Sequence, residues 1–269
     1  MKKYLVIGKP IQHSLSPKLH NYWIKKNNLS AIYEKKQLNE NDIKETIKGI
    51  IDEKIHGINV TVPYKKYVIP FLDDLTNLAK QAQSVNTIYK KDNKIIGDNT
   101  DVGGFEKALK HINYDTKGKN VFILGAGGAV PSIIIALRSL GVKKIALSNR
   151  TKAKANSLKD LYPDLEIIDW KETHNIKRDF NLIINATSLG LKSEDKIKIN
   201  YEDIGKNNLF YDVIYNPEKT NFLLKAKEFG NEIENGKLMF IYQAQLAFKI
   251  WHNIEPKIDN DVIKLLSDD

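Results

Sequence analysis

Between Asn120 and Thr151 the chain reads NVFILGAGGAVPSIIIALRSLGVKKIALSNRT, a stretch that leaves the fold little freedom. Val121 to Leu124 is a short apolar run of the kind that forms a strand buried on both faces. Gly125-Ala126-Gly127-Gly128-Ala129 follows as a tight turn, Ile133 to Leu140 reads as a helix, and Gly141 fits its stop. Lys144 to Leu147 gives a second strand, which completes a βαβ unit of about thirty residues. Such glycines let the backbone approach a pyrophosphate, whose charge is favoured at a helix N-terminus with unpaired N–H groups. A bare GxGG turn also serves as a plain strand-to-helix connection. Its place between an apolar strand and a helix selects dinucleotide binding.

The remaining composition narrows the class. With 269 residues the chain is long enough for two domains. Hydrophobic residues make up 42% in scattered runs, none as long as a membrane span, and Met1-Lys-Lys precedes too short an apolar segment for a secretory leader. The sequence holds no cysteine, hence no disulfide framework and no thiolate metal site, and no metal is expected. A cytoplasmic protein without membrane attachment is expected. The formal charge of +9 invites a nucleic-acid reading. The lysines are spread along the chain, however, arginine occurs only at 138, 150 and 178, and no basic block is interleaved with aromatics. The charge is left to attract small anions. No nucleic-acid partner is expected.

Ahead of the glycine turn, Lys3 to Ile7 reads as a strand leading into Gly8 and then QHS14-L-S16-P17. Ser16 before Pro17 is a good helix N-cap, and two hydroxyls at a helix start also suit a carboxylate. Ala31 to Leu38 alternates as a strand, Asp42 to Ile51 is helical, and His56 to Val60 is a strand stopped by Pro63. Thr61 and Lys65 then fall beyond its carboxyl end, where open α/β sheets bind ligands. A helix around Leu75 to Gln81 precedes Ser84-Val85-Asn86-Thr87 and a hairpin turned at 91–93. Gly97-Asp98-Asn99-Thr100-Asp101 closes the hairpin and Val102 to His111 is helical, so Asp101 directly precedes a helix, placed either to cap it or to do chemistry.

After the glycine unit come a helix from Lys152 to Leu161 and strands at Leu165 to Ile168, Asn181 to Ile184 and Leu209 to Val213. Helices follow near Thr220 to Phe229, from Gly236 to about Asn253 and from Asp259 to Leu266. Gly125, Asn149, Thr187 and Val213 thus lie at strand carboxyl ends, which share one edge in a parallel sheet. Met239 and Gln243 are four apart and share a helix face with Leu246 and Ile250, a core stripe in the plain reading. A glutamine there needs partners if buried.

In series, GKPIQHSLSP-x-x-HN, NVTVPYK, SVNT, GDNTD, GAGGA, NRT, INATSLG, DVIYNP and MFIYQ resemble the shikimate dehydrogenase family in order and spacing. The resemblance implies two α/β domains: a substrate-binding domain of residues 1–101 plus 238–269, and a Rossmann-like NADP-binding domain of residues 102–237. The C-terminal helices return to the first domain. It implies reduction of 3-dehydroshikimate to shikimate with NADPH, in aromatic amino acid biosynthesis, by a monomer or homodimer. By position, Ser14 and Ser16 resemble carboxylate binders, and Thr61, Asn86, Asp101 and Gln243 resemble holders of ring hydroxyls. Lys65 and Asp101 resemble the catalytic pair, and which of the two transfers the proton stays open. Tyr215 joins the substrate residues. Gly125, Ala126, Gly127, Gly128 and Ala129 would hold the pyrophosphate; Asn149, Arg150, Thr151, Lys152 and Lys154 the adenosine phosphate. Thr187, Val213, Gly236 and Met239 complete the cofactor set.

Two departures stand out. Leu238 occupies the place before the Met where the family usually has glycine, and Pro131 falls early in the helix after the glycine turn, where it is tolerated. A quinate/shikimate dehydrogenase of broader range is one rival. A silent metabolite or NADP sensor is another, but it would have no need of Lys65 and Asp101 together. NADP is expected over NAD, because the second strand of the βαβ unit ends in Ser148-Asn149-Arg150-Thr151 without the carboxylate that binds a ribose 2′-hydroxyl.

Overall fold

The computed structural model describes residues 1–177 and 179–266. The chain forms two compact units, Met1–Phe105 with Phe240–Asp269, and the continuous stretch Glu106–Met239.

In the first unit β1 (Lys2–Gly8), β2 (Ala31–Gln37), β3 (Gly57–Val60), β4 (Asp74–Leu75), β5 (Thr87–Lys91) and β6 (Lys94–Asp98) form one mixed sheet, ordered β2-β1-β3-β5-β6-β4. β1 runs parallel to β2 and β3, because α1 (Ser16–Lys26) and α2 (Glu40–Ile51) carry the chain back over the sheet between them. β5 is antiparallel to β3 and β6. The β5–β6 hairpin turns at Asp92 and Asn93, both left-handed (φ 49° and 58°), as a two-residue turn matched to strand twist requires. α3 (Asn77–Ala82) starts later than the sequence suggests: Leu75 still belongs to β4, and the Thr76 side chain caps the helix. α4 (Thr100–His111) follows β6.

The second sheet is wholly parallel. β7 (Asn120–Leu124), β8 (Lys144–Ser148), β9 (Glu166–Ile167), β10 (Leu182–Asn185), β11 (Leu209–Asp212) and β12 (Glu232–Glu234) stand in the order β12-β11-β10-β7-β8-β9. Renumbered within the unit this is 3-2-1-4-5-6, the doubly wound dinucleotide-binding order, whose strand direction of travel reverses between β7 and β10. α5 (Val130–Ser139), α6 (Lys152–Leu161), α7 (Tyr201–Ile204) and α8 (Asn221–Glu228) supply the connections. α5 begins three residues before the expected Ile133, since Pro131 is preset for a first turn. β12 was not legible as a strand: Glu-Ile-Glu is too short and polar, and it pairs only with β11.

α9 (Lys237–His252) carries the chain into its last segment, and α10 (Asn260–Leu265) follows. Residues from Phe240 onward belong to the first unit. There the alternation of β1 divides the core: Tyr4 and Val6 join Leu19, Trp23, Ile241, Ala244, Phe248 and Val262, while Leu5 and Ile7 join Ile43, Ile47, Ile58 and Ile88. The core stripe of α9 is therefore Ile241, Ala244 and Phe248. On the face of Met239, Gln243, Leu246 and Ile250, Met239 is buried and the other three are half buried. Among the described residues no helix is long and apolar enough to cross a membrane.

His20 lies inside the first of these clusters, stacked on Tyr33 at 4.1 Å, with its Nε2 lacking a hydrogen-bond partner. Burial, with a smaller contribution from His252, pushes its imidazole down to about 3. A depressed histidine contributes stability that is present above its unfolded value near 6.5 and is lost as pH falls toward the folded one. Thermal stability should therefore drop below about pH 6.5 with a slope of up to ~1.4 kcal/mol per pH unit from this group. Melting curves between pH 7 and 5 should show a shallower drop in His20→Phe. Equal slopes in the two proteins would remove His20 as the cause.

Candidate active site

β3 ends at Val60, and the chain then turns through residues 61–68. The Lys65 carbonyl accepts the Val85 N–H at 2.8 Å, which ties this turn to the segment leading into Asn86. The Lys65 side chain, 12% exposed, donates from Nζ to Asp101 Oδ2 at 2.5 Å. Asp101 is the second residue of α4, and the question of capping is settled by its neighbour: Asn99 Oδ1 accepts the N–H groups of Asp101 and Val102. The Asp101 carboxylate is thereby left for side-chain partners. Asn86 Nδ2 donates to Asp101 Oδ1 at 2.8 Å and to Thr100 Oγ1 at 2.9 Å, with Gln243 Oε1 farther off at 3.5 Å. Lys65, Asn86, Asp101 and Gln243, distant in sequence, form one polar group. Thr61 is half buried just beyond β3.

Ser16 does not cap α1. It is the first helical residue, Leu15 stands at the cap position, and the Ser16 hydroxyl is turned inward to the phenol of Tyr33. Its own N–H donates to Ser14 Oγ at 3.3 Å. Ser16 is only 7% exposed, which a solvent-facing cap would not be. The capping reading is overturned on this geometry. Tyr215 belongs to the second unit, in the loop after β11.

In the second unit Gly125 has φ +113°, and a Cβ there would meet the Ala186 oxygen at 2.6 Å. Only glycine fits, and the loops after β7 and β10 therefore touch at the switch point of the sheet. Asn185 fixes the second loop: its Oδ1 accepts from Thr187 N and Oγ1, and its Nδ2 donates to Leu189 O and to Asp212 Oδ1. Asp212 also accepts from Ile214 N and Thr220 Oγ1, and burial pushes its carboxyl up to about 6. Gly236 abuts the loop after β11, where a Cβ would run into the Val213 carbonyl oxygen. Sequence reading missed Asn185 and Asp212, which order these loops from below.

A concavity of about 250 Å³ opens beside Gly125, with Ala126, Gly127, Asn149, Arg150, Thr151, Lys154 and Thr187 in its wall. Ala129 stands at the cap position of α5 and makes no side-chain hydrogen bond to its first turn. Gly128, Ala129 and Lys152 adjoin the wall in sequence without lining it, and Val213, Gly236 and Met239 lie outside it. Trp170, Ala186, Ser188 and Leu189 complete the wall and were not anticipated. The tryptophan follows the short strand β9 by three residues, and a strand that brief gave no reason to look beyond its end.

A tight glycine turn at the switch point of a 3-2-1-4-5-6 sheet, an uncapped helix and an arginine in place of an acidic residue define a dinucleotide-binding α/β protein. Residues 6–88 match the family model of the shikimate dehydrogenase substrate binding domain, and residues 106–212 that of shikimate / quinate 5-dehydrogenase. A shikimate dehydrogenase (NADP(+)) of Pelagibacter ubique is 59% identical over 98% of both chains. The crystal structure of shikimate dehydrogenase from Aquifex aeolicus superposes with a TM-score of 0.90 at 39% identity, covering 100% of this chain and 98% of that one. The Thermus thermophilus shikimate 5-dehydrogenase, solved with NADP(H) and shikimate, gives 0.87 at 29% identity over 99% and 98%. The chain belongs to the shikimate dehydrogenase family.

Proposed function

We propose that this chain reversibly reduces 3-dehydroshikimate to shikimate with NADPH, a step of aromatic biosynthesis, and that Lys65 and Asp101 are its acid–base pair. The first unit is assigned the substrate and the second the cofactor. The observation that carries the reading is the buried Lys65–Asp101 contact, since a cation and an anion so withdrawn from water need a reason to be there. The glycine cradle, the uncapped α5 and Arg150 suit NADP, with Gly125 to Gly127 against the pyrophosphate and Arg150, Thr151 and Lys154 toward the 2′-phosphate.

Bound NADPH supplies a hydride to the carbonyl carbon. Charge then develops on the carbonyl oxygen, and this oxygen must gain a proton to become the alcohol. Both oxygens of Asp101 are held, one by Asn86 and one by Lys65, whereas the Lys65 ammonium has three N–H groups and gives one to Asp101. Lys65 is accordingly assigned as proton donor in reduction and acceptor in oxidation, with Asp101 fixing its position and charge. Ser14 and Ser16 are assigned to the substrate carboxylate, and Thr61, Asn86, Gln243 and Tyr215 to its hydroxyls.

The direct test follows NADPH absorbance as the purified chain meets NADP⁺ and shikimate, then quinate, then NAD⁺ with each. NADP⁺-dependent oxidation of shikimate is expected. Turnover of quinate at comparable kcat/KM would select the broader dehydrogenase, and no turnover of either would overturn the reading.

A further inference from the structure

Four buried side chains, Tyr33, Asn59, Thr87 and Asn86, connect Ser16 to Asp101, and backbone partners fix the orientation of both amides. Asn86 Oδ1 accepts the backbone N–H of Thr100 at 2.7 Å, and an N–H cannot accept, so this amide has one orientation. Its Nδ2 accordingly faces Asp101. Asn59 Nδ2 donates to the backbone oxygen of Asn86 at 3.0 Å, which orients the second amide in the same way. Asn59 Oδ1 must then accept, and Tyr33 Oη is its donor at 2.7 Å. Thr87 takes a bond from Asn59 Nδ2 at 3.1 Å and gives one to Asn86 Oδ1 at 3.0 Å. The only proton of the Tyr33 phenol is used on Asn59, so the Ser16 hydroxyl donates to Tyr33. Burial drives the Tyr33 phenol well above its ordinary value, and it stays protonated wherever the protein is folded.

The protons therefore all point one way: Ser16, Tyr33, Asn59, Thr87, Asn86, Asp101. Every member is at most 7% exposed, so water does not substitute for a missing link. We propose that Tyr33 is a positioning residue for the Lys65–Asp101 pair, holding the amide relay whose last member orients the Asp101 carboxylate. The proposal rests on the acid–base role given to that pair above. It also assigns Tyr33 a second effect. The phenol draws the Ser16 proton inward, so a substrate carboxylate, which needs donors, competes with Tyr33 for it. The Ser14 hydroxyl, used as an acceptor by Ser16 N–H, keeps its proton for the ligand.

Tyr33→Phe removes one oxygen and keeps the ring stacked on His20. It leaves Asn59 Oδ1 buried without its donor while the Asn86 carbonyl still holds Nδ2, so the amide shifts and its bond to Thr87 loosens. Steady-state kinetics with shikimate and NADP⁺ should show kcat lowered roughly fivefold to fiftyfold, as expected when a catalytic pair is misplaced by a fraction of an ångström. KM for shikimate should stay level or fall, because Ser16 is freed to donate. A merely structural role predicts a lower melting temperature with kcat unchanged, or KM rising with kcat, and either result overturns the proposal. Thr87→Val breaks the relay one step later. If the effect travels along the chain, Tyr33→Phe/Thr87→Val loses no more kcat than Thr87→Val alone, whereas multiplicative losses would refute it. Turnover by the wild type, measured first, keeps this test separate from that of the activity itself.

Discussion

Lys65→Ala is expected to lower kcat for shikimate oxidation by about 10²–10⁴-fold, the usual worth of a positioned general acid–base group. KM for NADP⁺ should not move, since Lys65 belongs to the first unit and the nucleotide wall to the second. The variant also strips a counterion from Asp101, whose side chain is 8% exposed, and breaking a buried pair from one side costs about 3–5 kcal/mol. Melting must therefore be measured beside kinetics, and rates compared where both proteins are folded. Asp101→Asn supplies the complementary result. It keeps the shape and the Lys65 stem but removes the charge, so kcat should fall by a similar order with less change in KM. A Lys65→Ala protein retaining more than about a tenth of wild-type kcat would end the acid–base assignment. Loss confined to KM in Asp101→Asn would reduce that residue to a hydroxyl contact.

Arg150→Ala should separate the two cofactors. The arginine is exposed at the end of β8 and lines the nucleotide concavity, with Asn149 Nδ2 holding the backbone beside it through Thr151 O at 2.8 Å. A guanidinium binds phosphate in a planar fork, and hydrogen bonds to charged groups are worth about 1.5–3 kcal/mol, or roughly tenfold to a hundredfold in KM. Exposure to solvent and salt places the effect at the lower end of that range. KM for NADP⁺ should rise about tenfold while the NAD⁺ reaction is nearly unchanged, and the gap should narrow at high salt. Lys154, in the same wall, covers part of the loss, so Arg150→Ala/Lys154→Ala should extend it. Equal losses with both cofactors would sink the assignment.

Elements with strong local periodicity were the easiest to read. β7, β8 and α6 match their expected ranges within a residue, because apolar runs and helix stops are set by neighbouring residues. Some short elements were not legible. β12 and α7 are three and four residues long, and their existence depends on what they pair with or pack on. On α9 the period of 3.6 marks a face, and only the fold says that Met239 on it is buried while Gln243 meets the polar group. Among the site residues, motifs pointed to Lys65, Asn86 and Asp101; Asn59 stood inside NVTVPYK without a role, and Tyr33 lay in no motif. A tyrosine in an alternating strand gives no sign that its hydroxyl bonds to a residue twenty-six positions away. Ser16 shows the converse limit, for a serine before proline looks like a cap whichever way its hydroxyl turns.

The division of the first unit into two chain segments bears on the order in which the protein takes shape during synthesis. Residues 1–105 leave the ribosome first, yet the face of their sheet that carries Tyr4 and Val6 is completed by Ile241, Ala244, Phe248 and Val262. Until those residues emerge, Trp23 and its neighbours lack part of the surface that buries them. Glu106–Met239, by contrast, is one continuous stretch. The unit that starts second is thus the first to have all of its residues, and the unit that starts first must wait with an apolar face open.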